Sequence, residues 1–260
     1  MIKRKMFLGI LLCVLFISCN RGSEVIENAP LLSVSITDDV GDTIVFPQKP
    51  TKLVSLMPNI TDMIQELGAT NQLVGVSDAC RAPFDIPIIA TSPQLDFAAL
   101  QTIQPDCIFV SDERYTKDIK SVMKQISVPV YMQSYQNLKD IYKQYRILGK
   151  LLDLESKGNK MADSLQSLQD SIQKSTKGKG NPQILILFSD QPPMAVGGRG
   201  YLNDMILACN GRNVLAHIPE KYAELTCEKI KQLKPDIILV ISKDKNVMTR
   251  LAESCPEITT

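Results

Sequence analysis

Leu100–Ser111 reads LQTIQPDCIFVS and Ile230–Ser242 reads IKQLKPDIILVIS, one stretch written twice. Each copy starts with apolar residues at helical spacing and stops at Pro-Asp, where the proline ring disfavours helical backbone in the residue before it. Four or five apolar residues follow, too few for a helix and rich enough in Ile and Val for a buried strand. Pro105 and Pro235 stand 130 residues apart. A second pair accompanies them, Asp62-Met63-Ile64 in NITDMIQELGA and Asp204-Met205-Ile206 in YLNDMILACNG, 142 residues apart. An apolar run precedes each (Leu53–Leu56 and Ile184–Leu187). The chain therefore reads as two related α/β lobes, with a ligand expected in the cleft between them.

Outward from that repeat, the chain of 260 residues has room for one or two domains, and 44% hydrophobic content is ample for their cores. The charge is nearly balanced, 29 basic residues against 28 acidic, and the mature part holds no basic block, so no nucleic-acid partner is expected. There is one His and no Trp.

Residues 1–18 have the layout of a signal peptide: Lys3, Arg4 and Lys5, then the apolar run Met6–Ile17, then Ser18-Cys19. As a helix that run would reach only about 18 Å, short of the roughly 30 Å of a bilayer core. A small residue directly before Cys19 resembles a bacterial lipobox, with Phe16 a departure from its usual pattern. Cys19 is then the lipidated first residue of an exported protein tethered to a membrane; an ordinary cleaved signal is the alternative. Residues 19–50 supply the anchor, a polar tether and a hairpin, Val34–Phe46, turning at Asp39–Asp42.

Residues 51–136 proceed in strand–helix steps. Leu53–Met57 is a strand, Asn59 or Thr61 can cap the helix that follows, and Gly68 ends it. Leu73–Val76, the first repeat copy, a helix near Tyr115–Ile126 and a strand at Val128–Met132 complete the first lobe. Residues 137–181 are the most helical part, two amphipathic runs of which the second, roughly 20 residues, would be about 30 Å long and able to bridge two lobes. The breaker cluster Lys177–Pro182 closes it. Residues 182–260 form the second lobe, with strands near Ile184 and Ile237, a further one near Val214 and a helix around Met248–Glu253. That lobe is expected to be short relative to the first and less stable. The fold class is α/β, two lobes with mainly parallel sheets joined by a long rigid helix.

TKLVSLMPNITDMIQELGATNQLVGVSD (51–78), the first repeat copy, GGRGYLNDMILACNGRNVL (197–215) and LTCEKIKQLKPDIILV (225–240) together resemble the substrate-binding proteins of ABC importers for iron siderophores, vitamin B12 and heme. The resemblance runs from about residue 50 through nearly all of the chain. It implies the class III periplasmic binding protein architecture, an iron-siderophore or corrinoid ligand, permease subunits as partners, a membrane reached through the lipid anchor, and no catalysis or cofactor. It also implies that an exposed acidic residue on each lobe meets the permease. Glu228 matches in the second lobe, whereas Ala98 stands at the first-lobe counterpart with Asp96 nearby. From the same resemblance Cys209 is a disulfide cysteine, with Cys255 its partner.

In parallel sheets ligands approach the loops beyond the carboxyl ends of the strands. On that rule the contact candidates are Met57, Pro58 and Asn59; Asp78 and Arg81; Arg114 and Tyr115; Tyr135; and, from the second lobe, Gln191, Arg199, Tyr201 and Lys243. The arginines suit anionic groups, since guanidinium donors match planar anions. Gly197-Gly198-Arg199-Gly200 fails the spacing of both phosphate-loop patterns and reads as a tight strand-to-helix turn. With His217 as the single histidine, histidine-rich zinc sites are excluded, and no metal site is expected. A hydrolase built on His217 would lack the Gly-x-Ser-x-Gly elbow. A lipid-anchored adhesion or scaffold module is the remaining alternative.

Overall fold

The computed structural model describes residues 33–83, 85–91, 94–111, 124 and 127–256. The helix expected near Tyr115–Ile126, the signal segment and Cys19 lie outside them. The expected hairpin is present as β1 (Val34–Thr37) and β2 (Thr43–Phe46), paired antiparallel. Asp38 closes its turn by accepting from the backbone N–H groups of Val40 and Asp42 at 3.1 and 2.8 Å.

The first sheet contains β3 (Leu53–Ser55), β4 (Leu73–Ser77), β5 (Ile88–Thr91), β6 (Gln94–Leu95), β7 (Cys107–Ser111) and β8 (Val130–Gln133), in the order β6-β5-β4-β3-β7-β8. All neighbours run parallel except β6 against β5. The β5–β6 pair was not expected from the sequence. The hairpin turn covers the outer edge of β8: Asp39 N donates to Met132 O at 3.0 Å, and Asp39 Oδ2 accepts from Ser134 N at 3.0 Å. Edge groups that would otherwise be open are thereby satisfied.

Helix α1 (Pro58–Glu66) opens on Pro58 at its first position, where a missing N–H costs nothing. Neither Asn59 nor Thr61 caps it; Thr61 Oγ1 instead donates to Ser55 Oγ at 2.9 Å. Gly68, at φ +81°, takes the left-handed backbone that ends the helix. Alternate residues of the strands face opposite ways. Leu53, Phe109 and Tyr131 pack under α1, and Val54, Ile108 and Val110 pack under α2 (Phe97–Ile103).

The doubled stretch has one physical role in both places. Helix α2 ends in Gln104 at φ +50°, and in the second copy Lys234 has φ +46°. After the proline, Asp106 Oδ2 accepts from Thr51 N (2.6 Å) and Lys52 N (2.9 Å), while its own N–H donates to Lys52 O. Asp236 Oδ2 accepts from Gln183 N (2.7 Å), and its N–H donates to Gln183 O. Each Pro-Asp thus clamps the amino end of the neighbouring strand and sets the register of its lobe.

Two helices connect the lobes. Helix α3 (Leu138–Leu151) starts with a capping box between Asn137 and Asp140. Helix α4 (Glu155–Thr176) has 22 residues, about 33 Å at 1.5 Å per residue. The two backbones approach closely at Gly149 and Gly158: a Cβ on Gly158 would stand 2.5 Å from Tyr145 O and 2.8 Å from Gly149 Cα.

The second sheet is built around β9 (Gln183–Asp190). Strand β13 (Ile237–Val240) runs parallel along one side of it. On the other side β11 (Arg212–Asn213) pairs parallel with its start, and β10 (Pro193–Val196) pairs antiparallel with its end. Strand β12 (Tyr222–Glu224) extends β10. The antiparallel β10 and β12 are additions to the expected pattern. Helix α5 (Tyr201–Ala208) covers the face of Ile184 and Ile186; α6 (Cys227–Leu233) and α7 (Val247–Ser254) cover the face of Leu185 and Leu187.

Those two faces correct the disulfide assignment. Cys255 bonds Cys227, with Cα atoms 5.3 Å apart, and not Cys209. Cys209 ends α5 on one face of the sheet and is exposed, whereas Cys255 is buried among the α6–α7 residues on the other. The sheet stands between them. Arg250 of α7 ties this layer together, with Nε and Nη2 donating to Asp190 (2.6 and 3.1 Å) and Nη1 to Asp244 (2.6 Å).

Candidate ligand-binding cleft

The carboxyl ends of β3, β7 and β8 open on a cavity of about 510 Å³ that the second lobe closes from the opposite side. On the first wall, Ser55 Oγ donates to Met57 O at 3.0 Å, and Ser77 Oγ donates to Leu56 O at 3.2 Å. These bonds hold Met57-Pro58-Asn59 against the cavity. Asp62 and Met63 join them from the next turn of α1, Ser111 and Gln133 from the last positions of β7 and β8, then Tyr135 and, from α3, Ile141 and Tyr145. The opposite wall is Val196, Arg199, Gly200, Tyr201, Leu202, Lys221 and Tyr222.

The glycines of the second wall answer a packing demand. A Cβ on Gly197 would stand 2.2 Å from Glu220 O, and one on Gly198 would stand 2.3 Å from Ala216 O. Their N–H groups donate to Lys221 O (2.9 Å) and Ile218 O (2.7 Å). Those donors are used, so the loop is the tight turn expected from its spacing and no phosphate cradle.

The walls meet at the start of α3. Gly200 N donates to Gln136 O (3.1 Å), Arg199 Nη2 to Gln136 Oε1 (3.0 Å), and Leu138 N to Asp204 Oδ2 (3.0 Å). Asp204 therefore supplies an anionic acceptor at the amino end of the connecting helix α3, where the helix dipole favours it. Tyr135 and Tyr201 stack edge to face, with ring centroids 6.4 Å apart.

Two of the cleft phenols, Tyr135 and Tyr145, are held neutral by their surroundings. Burial raises the pKa of Tyr135 far above the ordinary tyrosine value. Burial, followed by the Glu66 carboxylate that accepts its hydroxyl proton, does the same for Tyr145. Among the described residues no group of three or more His, Cys, Asp and Glu side chains is placed to hold a metal ion.

Of the residues expected at strand ends, Met57, Pro58, Asn59, Tyr135, Arg199 and Tyr201 line the cavity. Asp78, Arg81, Gln191 and Lys243 do not. The turn after β4 folds along α1, where Gln65 Nε2 holds Arg81 O at 2.7 Å. Gln191 occupies the tight β9–β10 turn, because β9 runs on into an antiparallel pair. Lys243 is exposed in the loop before α7. Arg114 and Tyr115 lie outside the described residues. Sequence reasoning missed Ser111 and Gln133 by taking residues past the strand ends rather than the last residues of the strands. It missed Lys221 and Tyr222 along with β12. His217 is exposed in the loop between β11 and β12 and does not line the cavity. Asp96 caps α2 by accepting from Ala99 N (2.9 Å), the part Thr226 plays for α6, and Glu228 is exposed in the first turn of α6.

A family model described as periplasmic binding protein matches residues 53–253. The chain belongs to the periplasmic binding protein family. Its architecture is that of the class III members. A *Bacillus subtilis* relative named an uncharacterized ABC transporter substrate-binding lipoprotein is 22% identical over 84% of this chain and 72% of its own length. The vitamin B12-binding protein of *Vibrio parahaemolyticus* is 20% identical over 72% of this chain and 69% of its own. Among solved structures, a periplasmic heme-binding protein from *Pseudomonas aeruginosa* superposes with a TM-score of 0.70 at 16% identity, covering 81% of this chain and 79% of the other. Among the described residues no helix is long and apolar enough to cross a membrane.

Proposed function

We propose that this periplasmic binding protein is the ligand-capturing component of an ABC importer, anchored through a lipid on Cys19, that takes an iron-siderophore complex or a corrinoid into the interlobe cleft and hands it to the permease. The observation that carries this reading is one cavity built from both lobes at the carboxyl edge of a parallel sheet. Its chemistry is asymmetric. Arg199 and Lys221 make the second wall cationic, while the first presents the Asp62 carboxylate beside the neutral polar groups of Asn59, Ser111 and Gln133, among methionine and tyrosine side chains. A large ligand with an anionic end and a polar neutral end matches those walls, and the relatives named for vitamin B12 and heme support the same size class.

Met57, Pro58, Asn59, Tyr135, Arg199 and Tyr201 are the proposed contact set. Exposed Glu228 and the neighbourhood of Asp96 are the proposed permease contacts, unequal because Asp96 already serves as a helix cap. The test is equilibrium binding of cyanocobalamin, ferric siderophores and hemin to the unlipidated domain, with Arg199→Ala alongside. Saturable binding of one class, weakened at least about tenfold by Arg199→Ala, is the expected result. A domain that binds none of them, and whose melting temperature none of them raises, would instead fit an adhesion or scaffold module.

A further inference from the structure

Gln133 ends β8 at the floor of the cleft and is only 3% exposed. Its Nε2 makes no hydrogen bond of good geometry, although buried amide donors nearly always have one. The Gln133 and Asn59 side chains are both directed at the Tyr135 hydroxyl. That hydroxyl donates only to Met63 Sδ, at 3.8 Å, and a thioether is a weak acceptor. Three donors from β8, α1 and the segment after β8 thus converge beside a cavity, where the Tyr135 oxygen is shared by both amides and the Tyr135 hydroxyl itself has only a thioether to donate to. Leaving such a donor unpaired costs stability that an apolar side chain of the same shape would not forfeit.

We infer that Gln133, with Asn59 and Tyr135, forms a donor subsite for a carbonyl-type oxygen of the ligand: a carboxamide, a hydroxamate or a carboxylate. The inference rests on the cleft being the ligand site and adds which end of the ligand goes to the floor. The anionic end faces Arg199 and Lys221 on the second wall. The acceptor oxygen is received at the first wall.

Gln133→Met, an unbranched replacement without a donor, tests this against wild type in two measurements: the melting temperature without ligand, and affinity for three probes. Cyanocobalamin carries carboxamides, ferrichrome hydroxamates and hemin carboxylates, so the probe most affected identifies the oxygen. The expected result is a ligand-free melting temperature equal to or above wild type, with affinity for the preferred probe lowered about tenfold or more. Unchanged affinity for every probe that wild type binds would overturn the subsite while leaving the cleft reading intact. Wild type binding none of the three would overturn both. If Gln133→Met does not fold, Tyr135→Phe decides: a similar loss of affinity supports the subsite, and unchanged affinity overturns it.

Discussion

β7 and β13 descend from the same written stretch and meet different fates. All five residues of β7 are buried, because β3 and β8 flank it and helices cover both faces. In β13, Ile238 and Val240 pack under α6 and α7, but Ile237 and Leu239 remain 41% and 47% exposed. Its described pairing is with β9 alone. A local pattern specifies the element and its clamp, while the neighbours decide how much that element contributes to stability.

Hydrogen exchange should separate the two strands most strongly. Amides of β7 should open only with global unfolding, and those of β13 by local opening several kcal/mol cheaper, on the order of the spread seen within single domains. Equal protection would refute the contrast. The Cys227–Cys255 bond is the compensation available to the second lobe. Replacing both cysteines by serine should cost about 2–4 kcal/mol for a closed loop of this length, read by denaturant unfolding of the oxidised protein against the variant.

The two Pro-Asp clamps offer a finer contrast. Asp106 accepts from two backbone N–H groups and Asp236 from one, so Asp106→Ala should lose about 1–2 kcal/mol and Asp236→Ala roughly half of that. The smallest effect concerns acid. The Arg250 guanidinium holds the Asp190 carboxyl below its ordinary range; the Asn246 N–H and then Arg250 do so for Asp244. A depressed folded-state pKa stabilises above the unfolded value near 4 and is lost as pH falls through the folded value. Wild type should therefore melt a few degrees above Arg250→Met at about pH 6, with the gap closing towards about pH 3. A gap that widens in acid would contradict the assignment.

Much of this architecture was legible in the sequence because it is local. Proline beyond the first turn stops a helix, and the apolar run after each Pro-Asp has the length of a strand. The hairpin was legible from its turn residues. β10 and β12 were not: PMAV and YAE are too short to show a period, and they find each other across 26 residues only once β9 is in place. The cysteine pairing failed for a related reason, since which face of a sheet a helix covers is a property of the assembled lobe. At the site, the strand-end rule found Met57 to Asn59, Tyr135, Arg199 and Tyr201, whose neighbourhood is set by β3, β8 and the α5 turn. It passed over Gln133, which reads as an ordinary strand terminator until the assembled fold buries it at the cleft floor.

In the proposed function both lobes hold one ligand between them, and hydrogen exchange of the domain with and without each probe that binds checks this. Simultaneous protection of the backbone around 57–63 in the first lobe and 199–202 in the second, together with Leu138 N–H at their junction, is expected. Protection confined to one lobe, or located away from these segments, would contradict it.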